Sequence, residues 1–177
     1  MPSEEASAET APQENVEALL EVQETPICLF LLSAARYDDI DDVKLIAYAG
    51  VSLDSKDSQG RTALHMAAAN GHLDVVEFLI SSGVDLNASN VEKNTPLHWA
   101  CLNGHIEVVK NLILAGANVT ALNSHERTPM DEAVSRGKMD VIDAINAAVA
   151  QVELTGIGVS ETVENFGERI LAVPSEP

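Results

Sequence analysis

The chain is 177 residues long, with 46% apolar but only 3% aromatic side chains, and 28 acidic against ten basic residues leave a formal net charge of −18. Apolar content of that size suffices for one core. The charge disfavours direct binding to nucleic acid or to an anionic membrane, because phosphate recognition needs the opposite sign.

Residues 1–24 hold seven glutamates and no basic residue. Within them, 1–14 are Glu, Ser, Ala and Pro with little to bury, and read as a disordered acidic tail. Val16, Leu19 and Leu20 form one face of a short helix expected over 15–23, which either caps the first repeat or reaches a partner. Residues 24–56 are a disguised repeat, legible only against the later copies. Ala34, Ala35, Ile40, Val43, Ile46 and Gly50 stand in matching places, Leu31-Leu32 replace a Leu-His pair, and Asp38 replaces a glycine.

The clear unit runs over 57–89. Thr62 opens a short helix that Gly71 ends, with Ala67 and Ala68 small enough for close packing. Leu73, Val75, Val76, Leu79 and Ile80 give a second helix one apolar face, and Gly83 stops it. Val84-Asp85-Leu86-Asn87 then leads into a turn rich in Asn, Asp, Ser and Gly that projects as a finger. Residues 90–122 repeat this unit 33 residues on: Thr95-Pro96-Leu97-His98 answers Thr62-Ala63-Leu64-His65, and Gly104, Ile106, Val108, Val109, Leu112 and Gly116 keep their places. Residues 123–151 are an eroded last copy with Thr128-Pro129-Met130-Asp131, Gly137, Val141, Ile142 and Ile145. Its Asn146 and Ala147 weaken the outer face, as suits a terminal cap. Proline at the first helical position is harmless, since that amide proton has no helical partner. Residues 152–177 form an acidic tail in which Val163, Phe166 and Ile170 have the spacing of a short amphipathic helix.

A period of this length means a solenoid whose units bury their apolar faces only by stacking, about three or more being needed. The expected fold is all-α, a solenoid of four helix-turn-helix units over 24–151 behind a cap helix over 15–23, the whole domain being 15–151. The signal is carried by two nearly complete Thr-x-Leu-His-x-Ala-(Ala/Cys) helices with Gly and Val-Val at fixed offsets, and on these residues the chain resembles the ankyrin-repeat family over about 25–150. The resemblance implies antiparallel helix pairs, a concave face built from fingers and inner helices, and a histidine in the Thr-x-Leu-His turn that ties one repeat to the next.

Catalytic chemistry has no foothold. His65 and His98, like His72 and His105, recur with the repeat, so their spacing belongs to the architecture. No nucleophile, base and orienting group come together, no glycine loop cradles phosphate, and the cysteines and histidines lack zinc-finger spacing. No cofactor and no enzymatic activity are expected. Cys28 and Cys101 lie in different repeats, so a disulfide is not expected, and reduced thiols suit an intracellular protein. The start lacks a basic targeting region, and the apolar run Ile27–Leu32 is too short to span a bilayer. A cytoplasmic monomer, with or without residence in the nucleus, is the expectation.

Function then lies in binding, at positions that stacking does not need. On the inner helices these include Arg36 and Tyr37, Met66 and Asn70, Trp99, Leu102 and Asn103, and Glu132 and Arg136. The fingers add Arg61 and Glu92. Asp38, Asp39, Asp41 and Asp42 cluster at the turn of the first repeat, either as a solvated face or as a lure for a basic peptide. Trp99, the only tryptophan, is either an aromatic anchor or a cover for the helices beneath it. Residues 62–72 and 94–104, above all Met66, Ala69, Trp99, Leu102 and Asn103, resemble the small ankyrin-repeat chaperones dedicated to a ribosomal protein. That resemblance implies a basic partner, the newly made KH-domain protein of the small ribosomal subunit, shielded from aggregation and escorted toward assembly. Some members have a longer insertion between the middle repeats, whereas the step here is a regular 33 residues. A regulatory adaptor of a kinase, transcription factor or proteasome subunit is the alternative reading.

Overall fold

The computed structural model describes residues 26–156. Its eight helices are α1 (Pro26–Arg36), α2 (Ile40–Tyr48), α3 (Ala63–Asn70), α4 (Leu73–Ser81), α5 (Pro96–Asn103), α6 (Ile106–Leu114), α7 (Pro129–Ser135) and α8 (Met139–Thr155). No strand occurs among the described residues. The expected helices near 15–23 and around Val163 to Ile170, and the tail over 1–14, lie outside them.

The odd-numbered helices form an inner row, α1 against α3, α3 against α5 and α5 against α7, and the even-numbered ones an outer row in the same order. The inner helices α3, α5 and α7 each start at a reciprocal cap. The Thr62 N–H donates to His65 Nδ1 at 3.2 Å while the His65 N–H returns to Thr62 Oγ1 at 3.4 Å. Thr128 and Asp131 reproduce the arrangement, with the Thr128 N–H on Asp131 Oδ2 at 2.8 Å. Pro96 and Pro129 occupy the first helical position, where a missing N–H costs nothing.

The inner helices end alike, at Gly71 and Gly104 with φ of +77° and +86°. The matching slot of the first repeat is Asp38, held at φ 63°, a left-handed conformation that costs an L-residue roughly 1–2 kcal/mol. Gly71 has a second duty. A Cβ there would lie 2.5 Å from the His105 ring of the next repeat, so the absent side chain makes room for an inter-repeat tie.

The core is one continuous file of small and aliphatic side chains. Leu31, Leu64 and Leu97 recur down the inner row, and Val76, Val109, Leu79 and Leu112 down the outer row, all fully buried. Ala35, Ala68 and Cys101 sit at one repeated slot and are 0% exposed, which lets neighbouring inner helices approach closely. The disguised first repeat packs as expected, with Leu31 and Leu32 buried, while Asn146 and Ala147 are exposed on the terminal one. α8 passes the expected boundary at 151 and runs on to Thr155.

Candidate protein-binding face

The fingers are built by one buried polar residue each. Asp57 Oδ1 accepts the N–H groups of Gln59 at 3.0 Å and Arg61 at 2.8 Å, and its Oδ2 takes the Arg61 Nε–H at 2.6 Å. Asn90 repeats this toward Glu92 and Asn94, and Asn123 toward His125 and Arg127. These three side chains, a period apart, are buried and satisfied, as buried polar groups must be. Burial pulls the Asp57 carboxyl upward, but its hydrogen bonds and charge contact with Arg61 prevail and hold it below the usual carboxylate range. Neighbouring fingers are joined through the main chain, the Val91 N–H on the Gln59 carbonyl at 3.0 Å and the Ser124 N–H on the Glu92 carbonyl at 2.8 Å.

Four histidines complete the scaffold. Because His65 Nδ1 accepts the Thr62 N–H, the ring proton sits on Nε2, which donates to the Asn94 carbonyl of the next repeat at 2.9 Å. His98 does the same toward the Arg127 carbonyl at 3.0 Å. Burial pushes His65 down to about 4 and lowers His98 as well, so both rings are neutral at pH 7. At the other end of the inner helices, His72 Nε2 donates to the Arg36 carbonyl at 2.7 Å and His105 Nε2 to the Ala69 carbonyl at 2.9 Å. Lys138 takes this slot in the last repeat and lays its stem over Gly104.

This scaffold holds the inner face. Trp99 projects from α5, half-buried, its indole edge-to-face with His65 at 5.3 Å between centroids and 73° between planes. One side of the ring is fixed by a histidine of the preceding repeat, the side chain packs partly against the core, and part of it meets solvent. Met66, expected on the same exposed face, is instead 2% exposed. The physical reason is its neighbour from the first repeat: the Arg36 guanidinium reaches over and donates to Met66 Sδ at 3.3 Å. What lies above that slot is therefore a charged and exposed Arg36, not a second apolar anchor.

The other expected positions distribute as follows. Tyr37 is 74% exposed at the end of α1. Asn70 is exposed and donates to the Met66 carbonyl at 2.8 Å, while Asn103 donates across the repeat boundary to the Ala69 carbonyl at 2.8 Å. Leu102 is half-buried and Arg136 exposed. Glu132 is held between Asn123 Nδ2, at 2.8 Å, and Arg127, at 3.8 Å. At the finger end, Arg61 is engaged by Asp57 and Glu92 accepts from Asn94 Nδ2 at 3.1 Å.

Asp38, Asp39, Asp41 and Asp42 lie at the opposite end of the inner helices from the fingers, and they have local partners. Asp39 caps α2 by accepting the Asp42 N–H at 3.1 Å, Asp41 and Asp42 occupy the first turn of that helix, and Asp38 stands 3.7 Å from His72 Nδ1. Carboxylates there complement the helix N-terminus. Lys93, exposed at φ 59° on a finger, escaped the sequence reading. The finger glycine it replaces, Gly60, was the available signal.

Charge divides between the two sides of the stack. The fingers and inner helices with their ends carry Asp38, Asp57, Glu92, Glu126, Asp131 and Glu132 against Arg36, Arg61, Lys93, Arg127 and Arg136, six acidic and five basic. The rest of the described chain, the outer helices and their loops, carries eleven acidic and four basic residues. The acidic excess of the described repeats thus belongs almost wholly to the outer side, and the inner face is nearly balanced.

Among the described residues no group of histidine, cysteine and carboxylate side chains could hold a metal ion, and no helix is long and apolar enough to cross a membrane. Burial pushes the Cys101 thiol up to about 12, which keeps it protonated and inert. The arrangement offers a mixed-polarity surface with one aromatic side chain near its middle. A family model described as ankyrin repeats, in three copies, matches residues 31–123 and 90–153. No curated protein matches the chain.

Proposed function

The chain belongs to the ankyrin-repeat family, a family of protein–protein interaction modules, and on that premise we propose that it is a non-enzymatic binding protein whose inner face seats a partner over Trp99. The single observation that carries this is the geometry of that indole, braced on His65 yet open to solvent. A braced aromatic loses little side-chain freedom on binding, and such residues dominate interface energies.

The partner we propose is a basic protein, the newly made KH-domain protein of the small ribosomal subunit, held in reversible, shielding association before assembly. The resemblance of residues 62–72 and 94–104 to the chaperones of that protein and the net charge of −18 support this reading. The acidic outer side changes how it works. Negative charge there raises the encounter rate of a cationic partner with the stack as a whole, while the contact itself rests on Trp99, Leu102 and the polar groups beside them. The test is light scattering of the purified client during dilution from high salt, with and without equimolar chain. Suppressed aggregation is expected, and unchanged aggregation at every salt concentration contradicts the escort.

One observation favours a second reading. A nearly balanced inner face, with six acidic and five basic residues, needs no basic client, and suits an adaptor that occupies a kinase, transcription factor or proteasome subunit. Affinity purification from cell extract separates the two: one dominant ribosomal protein for the escort, a signalling or proteasomal complex for the adaptor.

A further inference from the structure

Charges of the two signs are used differently on the inner side of the stack. Asp57, Glu92, Asp131 and Glu132 are each bonded to groups of the fold itself. Asp38 stands beside His72, and Glu126, on the last finger, is left without a partner among the described residues. The cations are spent more sparingly. Arg36, Lys93 and Arg136 are all exposed, and none has a carboxylate partner among the described residues. Arg36 gives one N–H to Met66 Sδ and keeps the rest of its guanidinium donors for other acceptors.

These three cations frame the apolar pair Trp99 and Leu102. The inner helices stack in the row α1, α3, α5, α7, at roughly 8–10 Å per step. Arg36 ends α1 and leans over Met66 of α3, toward α5. Arg136 ends α7, one step beyond α5, and Lys93 lies on the finger that leads into α5. A partner that covers this frame takes guanidinium and ammonium groups out of water, which is costly unless acceptors meet them. The acids already bonded within the fold make a smaller demand.

We propose that the segment seated over Trp99 is acidic: an apolar side chain meets the indole and Leu102, and carboxylates flanking it meet Arg36 and Arg136, with Lys93 facing a third. This rests on the reading of a partner over Trp99 and adds the sign of the segment in contact. Net charge, −18 here, acts on encounter, whereas complementarity at contact depends on the local groups. A client of positive net charge therefore docks by an acidic stretch of its own.

Calorimetry of the full chain with two synthetic peptides, repeated Glu-Leu-Leu-Glu and its counterpart Lys-Leu-Leu-Lys, tests this, with Trp99 emission followed in parallel. The Glu peptide is expected to shift the emission and to bind the R36Q/K93Q/R136Q variant about tenfold more weakly, since exposed charge pairs contribute little singly and three are removed. The Lys peptide, drawn to the acidic outer side, is expected to leave the emission unchanged. Equal affinity of the Glu peptide for the natural chain and the triple variant, a shift caused by the Lys peptide alone, or binding of neither peptide overturns the assignment. W99A separates this failure from that of the seat. Full affinity for the Glu peptide in W99A, with loss in the triple variant, keeps the acidic segment and removes Trp99 from the seat; loss in W99A alone does the reverse.

Discussion

Acid should unfold this protein through His65 before it protonates the structural carboxylates. In the folded chain the His65 ring is neutral, pushed down to about 4 by burial, whereas in the unfolded chain an ordinary histidine titrates near 6.5. Between those values the unfolded state binds more protons, so stability is complete above about pH 6.5 and falls as pH drops toward 4. At pH 5 the unfolded ring is about 97% protonated and the folded one about a tenth, which removes about 2 kcal/mol relative to pH 8. His98 is lowered by burial too and acts in the same direction. Asp57 and Asp131 are held below the usual carboxylate range, and their contribution is lost only as pH falls further, through those depressed values. Loss of net negative charge on acidification also changes stability, so the informative quantity is a difference. Urea denaturation followed by circular dichroism at pH 7.5, 6 and 5 should show a steeper decline for the natural chain than for H65Q, whose amide can still donate to the Asn94 carbonyl. Equal pH slopes in the two proteins, or a ring resonance of His65 that titrates near 6.5 in the folded chain, would refute the reasoning.

Gly71→Ala should destabilise by at least 1–2 kcal/mol in the same denaturation assay, because its Cβ meets the His105 ring at 2.5 Å and the backbone is left-handed; an unaffected midpoint contradicts the proposed inter-repeat tie. Lys93→Gly should stabilise by about 0.5–1 kcal/mol, since Lys93 is held at φ 59° in the slot that Gly60 fills one repeat earlier, and a lower melting temperature would show that its side chain matters more than its backbone. Thr62→Ala removes a buried helix cap and should cost about 1 kcal/mol, read as a shift in urea midpoint.

The order of helices was legible because apolar spacing, caps and terminating glycines repeat every 33 residues and each copy corrects the reading of the others. The same logic sorted the histidines: His65 and His98 share their bonding partners, carbonyls 29 residues on. Met66 shows where it stops. Its slot matches Trp99, but its exposure depends on the residue that the preceding repeat lays over it, and Arg36 is long enough to cover a thioether. Period cannot reveal that, because the two slots have different predecessors. The buried finger residues Asp57, Asn90 and Asn123 were not singled out in the sequence, yet their carboxylate or amide oxygens organise each finger from inside. The segregation of charge was readable in principle, since the acidic residues concentrate in outer-helix segments. It became visible only once those segments were placed on one side of the stack.

The most direct measurement is a titration of Trp99 emission with the purified small-subunit KH-domain protein, at low and physiological salt, for the natural chain and W99A. Trp99 is the only tryptophan in the chain, so in the natural protein its spectral shift is local to the inner face, and binding by W99A is followed by calorimetry. The account predicts saturable binding with a blue-shifted emission, and a loss on the order of 2 kcal/mol, about thirtyfold, for W99A. Salt should slow association more than it speeds dissociation. Saturable binding with unshifted emission and full affinity in W99A would contradict a partner seated over the inner face, and no binding at either salt would contradict the basic client.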